Sequence, residues 1–329
     1  MSEPTGRKTL KRVIRWVLII GVSVLAVQFV RKLDPAKAMA VVADASVGWI
    51  ALAMGVNAVL RVGTRVLRTR SLLKPLPGDV PLRELAHFIY GAMALGYIVS
   101  PVAGSAARVF ALQHHGVSSE SLVAVQLWEK IISGCAFAVF SAPMLLLDTP
   151  SQVHYALLAC TLAGSIGFVV ALVAMAGVKR YTRARVEPTG KIKRWLFSMG
   201  KSLALLHSPK TLASTFVWSA LSELSDVGML ALALHAVGAP VNLAACVLAF
   251  IVVNVGSAVP STPGQLGVFE ATTAWGLTAA GVADEKALAV GLIYHLIHIV
   301  PVLLIGLPSL LRIRREQKAE ESMKLTAAR

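Results

Sequence analysis

Two carboxylates, Glu223 and Asp226, lie three residues apart within the apolar segment "WSALSELSDVGML". This spacing places both side chains on one face of a helix. Carboxylates that share an apolar environment hold their protons more tightly than carboxylates in water, which is the chemistry that proton coupling requires. The alternative is a structural role, in which both groups accept hydrogen bonds from Ser and Thr side chains of neighbouring helices.

Arg108 and Glu270 each follow a stretch rich in small residues and proline, "SPVAGSAAR" and "VPSTPGQLGVFEA". Ionisable groups within apolar sequence are costly and mark functional or paired sites. We expect Arg108 in the first turn of a helix, where it contacts a phosphate. The alternative is an ion pair that holds this stretch in place. Glu270 either pairs with Arg108 or favours the start of its own helix.

Glu129 and Lys130 form an adjacent charged pair, and Lys130 matches His295 in the internal repeat described below. Two cationic positions that face one cavity would suit an anionic headgroup, and Glu129 would neutralise Lys130 or take a proton. His295 and His298 form an H-x-x-H pattern, but the third ligand and the glutamate of a zinc protease are missing. We therefore predict no metal, no cofactor and no catalytic residue.

Composition identifies the class of protein. The chain has 329 residues, of which 56% are hydrophobic and 15% charged, with a net charge of +15. Apolar runs long enough to cross a membrane recur from residue 13 to residue 311. The basic residues fall in blocks between these runs, which is typical of cytoplasmic loops and does not favour nucleic-acid binding. The three cysteines are isolated and are expected to pack in the core.

The basic blocks predict the topology. They lie before residue 13, at 61–74, at 179–194 and after residue 311, and each is expected in the cytoplasm. Three apolar segments separate the second block from the third, so one of them should not cross, and the segment at 82–115 is the best candidate. The same argument makes 241–280 a second re-entrant hairpin. Broken backbone of this kind is tolerated at depth only inside protein or beside water.

An internal repeat indicates that the chain consists of two related halves. "GVSSESLVAVQLWEKII" (116–132) matches "GVADEKALAVGLIYHLI" (281–297) at seven of seventeen positions. Each half is predicted to contain a helix, a hairpin and a helix, and the two hairpins enter from opposite sides. Inverted repeats with broken helices are the architecture of many secondary transporters.

The predicted fold is therefore an all-α polytopic membrane protein with about six full spans and two hairpins, or eight hydrophobic segments by simple count. A basic cytoplasmic N-terminus (1–12) precedes one transmembrane domain (13–311), and a cytoplasmic tail (312–329) follows it. Within the domain, repeat one covers about 39–147, a basic cytoplasmic loop covers 179–210, and repeat two covers about 211–311.

Three stretches, "PVAGSAAR", "GVSSESLVAVQLWEK" and "PSTPGQLGVFEA", resemble the lysylphosphatidylglycerol synthase transmembrane region, also described as the flippase-like membrane domain family. The similarity covers about residues 10–312. Its most specific part is the Pro-Gly-x-x-Gly-x-x-Glu pattern of Pro263, Gly264, Gly267 and Glu270. Members of the family often have Glu-Arg where this chain has Glu129-Lys130. They often have Pro-Gly-Gly where this chain has Pro263-Gly264-Gln265.

The resemblance implies binding or translocation of a membrane lipid in a bacterial inner membrane, with both termini cytoplasmic. The lipid could be an anionic phospholipid, a polyprenyl phosphate or a hopanoid. A second copy of the chain or a separate lipid synthase could be a protein partner. We expect the hairpin tips with Arg108, Lys130, Glu270 and His295 to receive the headgroup. The alternatives are a membrane-embedded enzyme acting on a lipid phosphate, and a non-transporting partner of a lipid-modifying or envelope complex.

Overall fold

Helices make up the whole of the regular structure that the computed structural model describes, namely residues 34–146, 151–184, 190–257 and 263–327 with the isolated helical positions Val24 and Gln28. The predicted first span, 13–30, lies almost entirely outside these residues. The helices are α1 Pro35–Ala43, α2 Val47–Leu73, α3 Leu82–Ile98, α4 Pro101–Gln113, α5 Ser119–Met144, α6 Ser151–Ala184, α7 Lys191–Leu206, α8 Pro209–Ala236, α9 Leu243–Ser257, α10 Val268–Ala279 and α11 Asp284–Ala327.

Five helices within the described residues are long and apolar enough to cross a membrane. They are α2, α5, α8 and the segments Val153–Thr182 of α6 and Asp284–Ile313 of α11. Each has 26 to 30 residues, and about 20 residues suffice to cross a hydrocarbon core. The predicted all-helical, polytopic class of fold is confirmed.

The second helix differs from its predicted bounds of 39–60. A short helix, α1, ends at Ala43, and α2 then continues to Leu73 through a π-helical segment at Asn57–Arg61. The basic block that we predicted as a loop is therefore helical, and that interpretation was wrong. Arginine is a good helix former, and partners such as Asn57, whose Oδ1 lies 3.2 Å from Nη1 of Arg61, allow its burial.

The two segments predicted as re-entrant hairpins each contain a pair of closely packed short helices. In the first hairpin, α3 and α4 meet at Ser100, whose hydroxyl accepts from the Ala103 amide at 3.2 Å and caps α4. Glycine permits the close approach, because a Cβ on Gly104 would lie 2.3 Å from the Ala92 carbonyl oxygen. In the second hairpin, a Cβ on Gly276 would lie 2.5 Å from the Ala249 Cα.

The hairpin helices are shorter than the five candidate spans. α3, α4, α9 and α10 have 17, 13, 15 and 12 residues. At 1.5 Å per residue they reach about 25, 20, 22 and 18 Å, less than a hydrocarbon core of about 30 Å. α9 is nevertheless apolar, so it matches neither a full span nor a polar loop.

The predicted basic loop, 179–210, is largely helical in the described residues. α6 continues to Ala184, and α7 covers Lys191–Leu206. α7 is amphipathic: Phe197, Leu203 and Leu206 are buried, whereas basic residues such as Lys193 are exposed. Its apolar face packs on protein, which an extended loop of the same charge would not do.

Contacts divide the chain into two compact units. Unit 1 comprises Met1–Met54, Pro143–Leu158 and Asp226–His298, and unit 2 comprises Gly55–Ala142, Ala159–Ser225 and Ile299–Arg329. The second hairpin lies in unit 1 and the first in unit 2. In the core of unit 2, Leu85, Leu122 and Trp128 are almost completely buried. In unit 1, buried residues of α9 and α10 pack together, and Val290 of α11 is also fully buried.

Candidate functional site

Each unit contains a buried cluster of charged side chains. The arginine cluster of unit 2 consists of Arg68, Thr69, Arg108 and Glu129. The histidine cluster of unit 1 consists of Asp226, Glu270, His295 and His298. Buried charges are rare in proteins unless they are paired, so both clusters are candidate sites.

Glu129 is the centre of the arginine cluster. Its Oε2 lies 2.6 Å from Nη2 of Arg108 and 3.9 Å from Nη2 of Arg68, and its Oε1 accepts from the Thr69 hydroxyl at 2.6 Å. The side chains of Arg68, Arg108 and Glu129 are 9%, 16% and 7% exposed. One carboxylate therefore serves two guanidinium groups in a site with little access to water.

Arg68 uses only some of its side-chain hydrogen-bond donors. Its Nη1 donates to the Ser133 hydroxyl at 2.9 Å and to the Ser219 hydroxyl at 3.3 Å. Its Nε is buried and has no hydrogen-bond partner among the described residues. A buried donor without a partner costs about 1 to 3 kcal/mol, so this atom is a natural contact for an acceptor on a ligand.

More charges surround the arginine cluster within unit 2. Arg65 donates from Nε to the Ser222 hydroxyl at 3.3 Å. Lys130 lies within electrostatic range of Arg65, Glu129 and Glu223. Closer in, Arg68 and Arg108 share the single carboxylate of Glu129, and this positive charge suits an anion.

Glu270 anchors the histidine cluster. One carboxylate oxygen, Oε2, accepts from the Gly267 amide at 2.7 Å, and the other, Oε1, lies 2.7 Å from Nδ1 of His295. Gly267 precedes the first residue of α10, so the carboxylate binds a free amide at the start of its own helix. Of the two alternatives for Glu270, the structure shows this one, with a histidine as the additional partner.

A second histidine–carboxylate pair lies about one helical turn along α11 from His295. Nε2 of His298 is 2.9 Å from Oδ1 of Asp226, and its Nδ1 is 2.9 Å from the Tyr294 carbonyl oxygen. The Phe269 ring stacks on His295, with centroids 4.4 Å apart, and also contacts the rings of His298 and Tyr294. Aromatic packing thus fixes both imidazoles and keeps water away from them.

The two clusters are built on corresponding elements with opposite charges. In unit 2, the helix before the hairpin provides Arg68, the second hairpin helix provides Arg108, and the helix after it provides Glu129. In unit 1, the corresponding helices provide the acids Asp226 and Glu270, and α11 provides the basic partners. The internal repeat predicted related helices, but it did not predict the reversal of charge.

The structure places several predicted site residues differently from the sequence prediction. Arg108 lies about two turns into α4, beyond the first turn in which helix-end amides act. It pairs with Glu129, so the structural alternative for Arg108 is present. Glu270 pairs with His295 instead of Arg108. Lys130 is exposed and His295 is buried, so these two positions are not equivalent.

The glycines of the predicted hairpin tip occupy backbone conformations that need glycine. Gly264 has φ 68° and Gly267 has φ 85°, and both follow Pro263, which begins a short 3-10 turn. Gln265 also has a positive φ, 61°, which costs about 1 to 2 kcal/mol outside glycine. Its side-chain amide bridges the Ser257 hydroxyl at 2.9 Å and the Ser257 carbonyl at 3.2 Å, which offsets that cost.

Arg68, Thr69 and His298 were not among the predicted lipid-binding residues. Arg68 was assigned to a loop because loop charge biases topology. The spacing of Arg61, Arg65 and Arg68, which follows helical periodicity directly after an apolar run, would have placed them on one helix face. No comparable signal in the sequence distinguishes Thr69.

An apolar pocket lies beside Arg108 in unit 2. Its lining comes from α3, from α4 on both sides of Arg108 in the sequence, and from the later part of α11: Phe88, Ala92, Ala107, Phe110, Ala111, Leu310 and Ile313. A charged group next to an apolar pocket suits an amphipathic ligand.

These features define a multi-pass helical membrane protein with buried charge in its apolar helices. The sequence model of the family described as "Lysylphosphatidylglycerol synthase TM region" matches residues 13–306. The chain belongs to this family, as its resemblance predicted. No curated protein matches the chain.

Proposed function

We propose that the protein binds an anionic lipid through the arginine cluster and translocates it between leaflets of a bacterial inner membrane, with both termini in the cytoplasm. The family supports a membrane protein connected with lipids. The observation that carries the proposal is the buried Nε of Arg68, a donor without a partner in a cluster with surplus positive charge. A lipid phosphate would supply both the acceptor and the negative charge.

The charge of the site favours an anionic headgroup over a zwitterionic one. Arg68 and Arg108 share the single carboxylate of Glu129. A phosphate that approached Arg68 would complete the neutralisation, whereas the ammonium group of a zwitterionic lipid would meet like charge. Guanidinium groups also bind phosphate in a bidentate manner, which gives geometric selectivity.

The apolar pocket supports a lipid as opposed to a free phosphate. Ala107 and Ala111 flank Arg108 on α4, and both line the pocket. A headgroup held at Arg108 would therefore leave an acyl or isoprenoid chain beside apolar side chains. An inorganic anion would gain nothing from this surface.

Re-entrant hairpins would supply a route for the headgroup. Each pairs two helices that are shorter than the membrane is thick, and we propose that both are re-entrant and enter from opposite sides. Broken helices at the midplane line the substrate sites of many secondary transporters. The arginine cluster would then lie near the centre of the bilayer, where a headgroup must pass.

Leaflet exchange in liposomes tests this function. Purified protein is reconstituted, and exchange of fluorescent anionic, zwitterionic and isoprenoid lipids is compared for the unmodified protein, Arg108→Ala and Arg108→Lys. A charge-assisted hydrogen bond is worth about 1.5 to 3 kcal/mol, so Arg108→Ala should slow anionic exchange by about 10- to 100-fold. Arg83, which is exposed at the start of α3, provides the control variant Arg83→Ala.

The outcome also separates the alternatives. Exchange of one lipid class that Arg108→Ala loses and Arg83→Ala keeps would support transport. Chemical conversion of the lipid would indicate an enzyme. A folded protein that binds no lipid and exchanges none, with or without an ion gradient, would favour a non-transporting membrane partner.

A further inference from the structure

The apolar face of α7 (Lys191–Leu206) is covered by protein only over its later half. Ile192, Leu196, Met199 and Leu203 follow one another at spacings of four, three and four residues, which places them on one face of the helix. Leu203 is 5% exposed and belongs to the core of unit 2, and Met199 packs against that core. Ile192 and Leu196, by contrast, are 77% and 51% exposed. The first half of the helix therefore presents an uncovered apolar face.

We propose that the first half of α7 lies in the headgroup layer of the membrane and binds anionic lipid headgroups. Its two exposed apolar side chains reach the boundary between headgroups and acyl chains. The basic side chains beside them, Lys191, Lys193 and Arg194, are exposed and contact the phosphates. This surface consists of residues other than those of the arginine cluster, and the proposal holds whether or not the protein translocates a lipid.

Contacts within unit 2 hold α7 beside the ends of three candidate spans. The Ser202 hydroxyl lies 2.8 Å from that of Ser121, close to the start of α5. A Cβ on Gly200 would lie 3.1 Å from Cγ2 of Thr182, the residue at which the candidate span of α6 ends. α8, a third candidate span, begins at Pro209, directly after α7. Because apolar spans end where the hydrocarbon core ends, these contacts place α7 at the membrane surface.

The length and composition of α7 suit a helix that lies on a membrane and does not cross it. The helix has 16 residues, which at 1.5 Å per residue reach about 24 Å, less than a hydrocarbon core of about 30 Å. It carries basic residues in its first turn, where a span would be apolar. Amphipathic helices that are rich in lysine and arginine lie in the plane of the interface, with their apolar face turned towards the acyl chains.

The charge of this stretch of sequence favours an anionic lipid over a zwitterionic one. The sequence has no acidic residue between Glu187 and Glu223. It has five basic residues there, namely Lys191, Lys193, Arg194, Lys201 and Lys210. A basic side chain beside an anionic lipid surface strengthens binding by about five-fold. A zwitterionic surface carries no net charge and provides no such gain.

Two aromatic side chains suit the same location. Trp195, on α7, is partly buried. Tyr181, near the end of α6, is 49% exposed and packs edge-on against Phe197 of α7, with ring centroids 6.3 Å apart. Tryptophan and tyrosine are enriched at the level of the headgroups, because their rings have both an apolar and a polar part. Tyr181 thus attaches α7 to the end of a candidate span and exposes part of its ring at the level expected for headgroups.

A lipid surface fits this face better than a second copy of the chain does. A twofold contact uses the same patch on both copies. It would bring the cations Lys191, Lys193 and Arg194 of one copy against those of the other. Like charges across an interface are unfavourable, and α7 itself has no acidic residue to offset them. Anionic headgroups supply the missing negative charge.

Photo-crosslinking in lipid nanodiscs tests the proposal. Benzoylphenylalanine replaces Leu196 in the full chain, the nanodiscs contain equal amounts of phosphatidylglycerol and phosphatidylcholine, and mass spectrometry counts the lipids that become attached. One or two basic side chains in contact with a headgroup predict an excess of phosphatidylglycerol of about 5- to 25-fold. The reference position is Val170, which is 60% exposed within the candidate span of α6. It should collect both lipids about equally.

Two triple variants separate the effect of charge from that of shape. Lys191→Gln/Lys193→Gln/Arg194→Gln removes the charge, and it should lower the lipid ratio at position 196 to the ratio at position 170. Lys191→Arg/Lys193→Arg/Arg194→Lys keeps the charge and should keep the excess of phosphatidylglycerol. Since all three side chains are exposed, both variants should unfold at the same temperature as the unmodified protein in nanodiscs of phosphatidylcholine alone.

Four results would overturn the proposal. Equal attachment of both lipids at position 196 would show contact with the membrane without selection by charge. An excess that persists in the glutamine variant would show that other residues cause it. Attachment to a second copy would identify an interface between copies, and no attachment would show that this face does not meet the membrane. None of these results requires leaflet exchange, so the test is decided separately from the proposed function.

Discussion

Removal of Glu129 should damage the protein more than removal of either arginine that it pairs with. Its carboxylate is 2.6 Å from a nitrogen of Arg108 and 3.9 Å from one of Arg68. Glu129→Ala leaves two guanidinium groups buried without their counter-charge. Arg108→Ala leaves the carboxylate with Arg68 and the Thr69 hydroxyl, at 2.6 Å.

The distances set the size of the effect. With an effective dielectric constant of about 20, unit charges at 2.6 and 3.9 Å attract by about 6 and about 4 kcal/mol. Desolvation of each ion, several kcal/mol, offsets most of this gain. Since breaking a buried pair from one side costs about 3 to 5 kcal/mol, we expect Glu129→Ala to lower the free energy of unfolding by that amount. Arg108→Ala should cost less.

Titration with SDS in mixed micelles, followed by tryptophan fluorescence, measures these differences. The double variant Arg108→Ala/Glu129→Ala should be more stable than the sum of the single effects predicts, because it removes a cation together with its anion. Glu129→Gln, which keeps the shape and the Thr69 contact, should lie between the unmodified protein and Glu129→Ala. Equal losses for Arg108→Ala and Glu129→Ala, or additive effects in the double variant, would refute the central role of Glu129.

Two further predictions concern the hairpins. Gly104→Ala should destabilise the first hairpin, because the new Cβ would lie 2.3 Å from the Ala92 carbonyl oxygen. The control Gly134→Ala, whose Cβ meets nothing within 4 Å, should be neutral or slightly stabilising. Thermal unfolding of both variants in detergent measures the difference, and equal midpoints would contradict the prediction. Single cysteines at Gln113 and Ala283, both exposed after a hairpin, should react with a membrane-impermeant thiol reagent from the cytoplasm and from the outside respectively, and reaction from the same side would exclude inverted hairpins.

The elements of the fold could be predicted because the signals were local. Apolar length identified the long helices, and the prolines and glycines of 259–267 marked the break in the second hairpin. The prediction was wrong at Arg61–Lys74, which is helical almost to its end. A row of basic residues is typical of a cytoplasmic loop, but the same residues can also be buried on one face of a helix. Only tertiary partners decide between them, and a serine at position 219, far away in the sequence, is one such partner of Arg68.

The histidine cluster shows a second limit of the sequence, which is the register of a repeat. The gapless alignment of 116–132 on 281–297 pairs Lys130 with His295, whereas the contacts pair Glu129 with His295, since each bonds the charged residue of its preceding hairpin. One residue along a helix rotates a side chain by about 100°. This rotation separates an exposed lysine from a buried histidine. Identical apolar residues are enough to align the two helices. The positions of the charged residues depend instead on which face of each helix packs against its hairpin, and that face is known only from the folded structure.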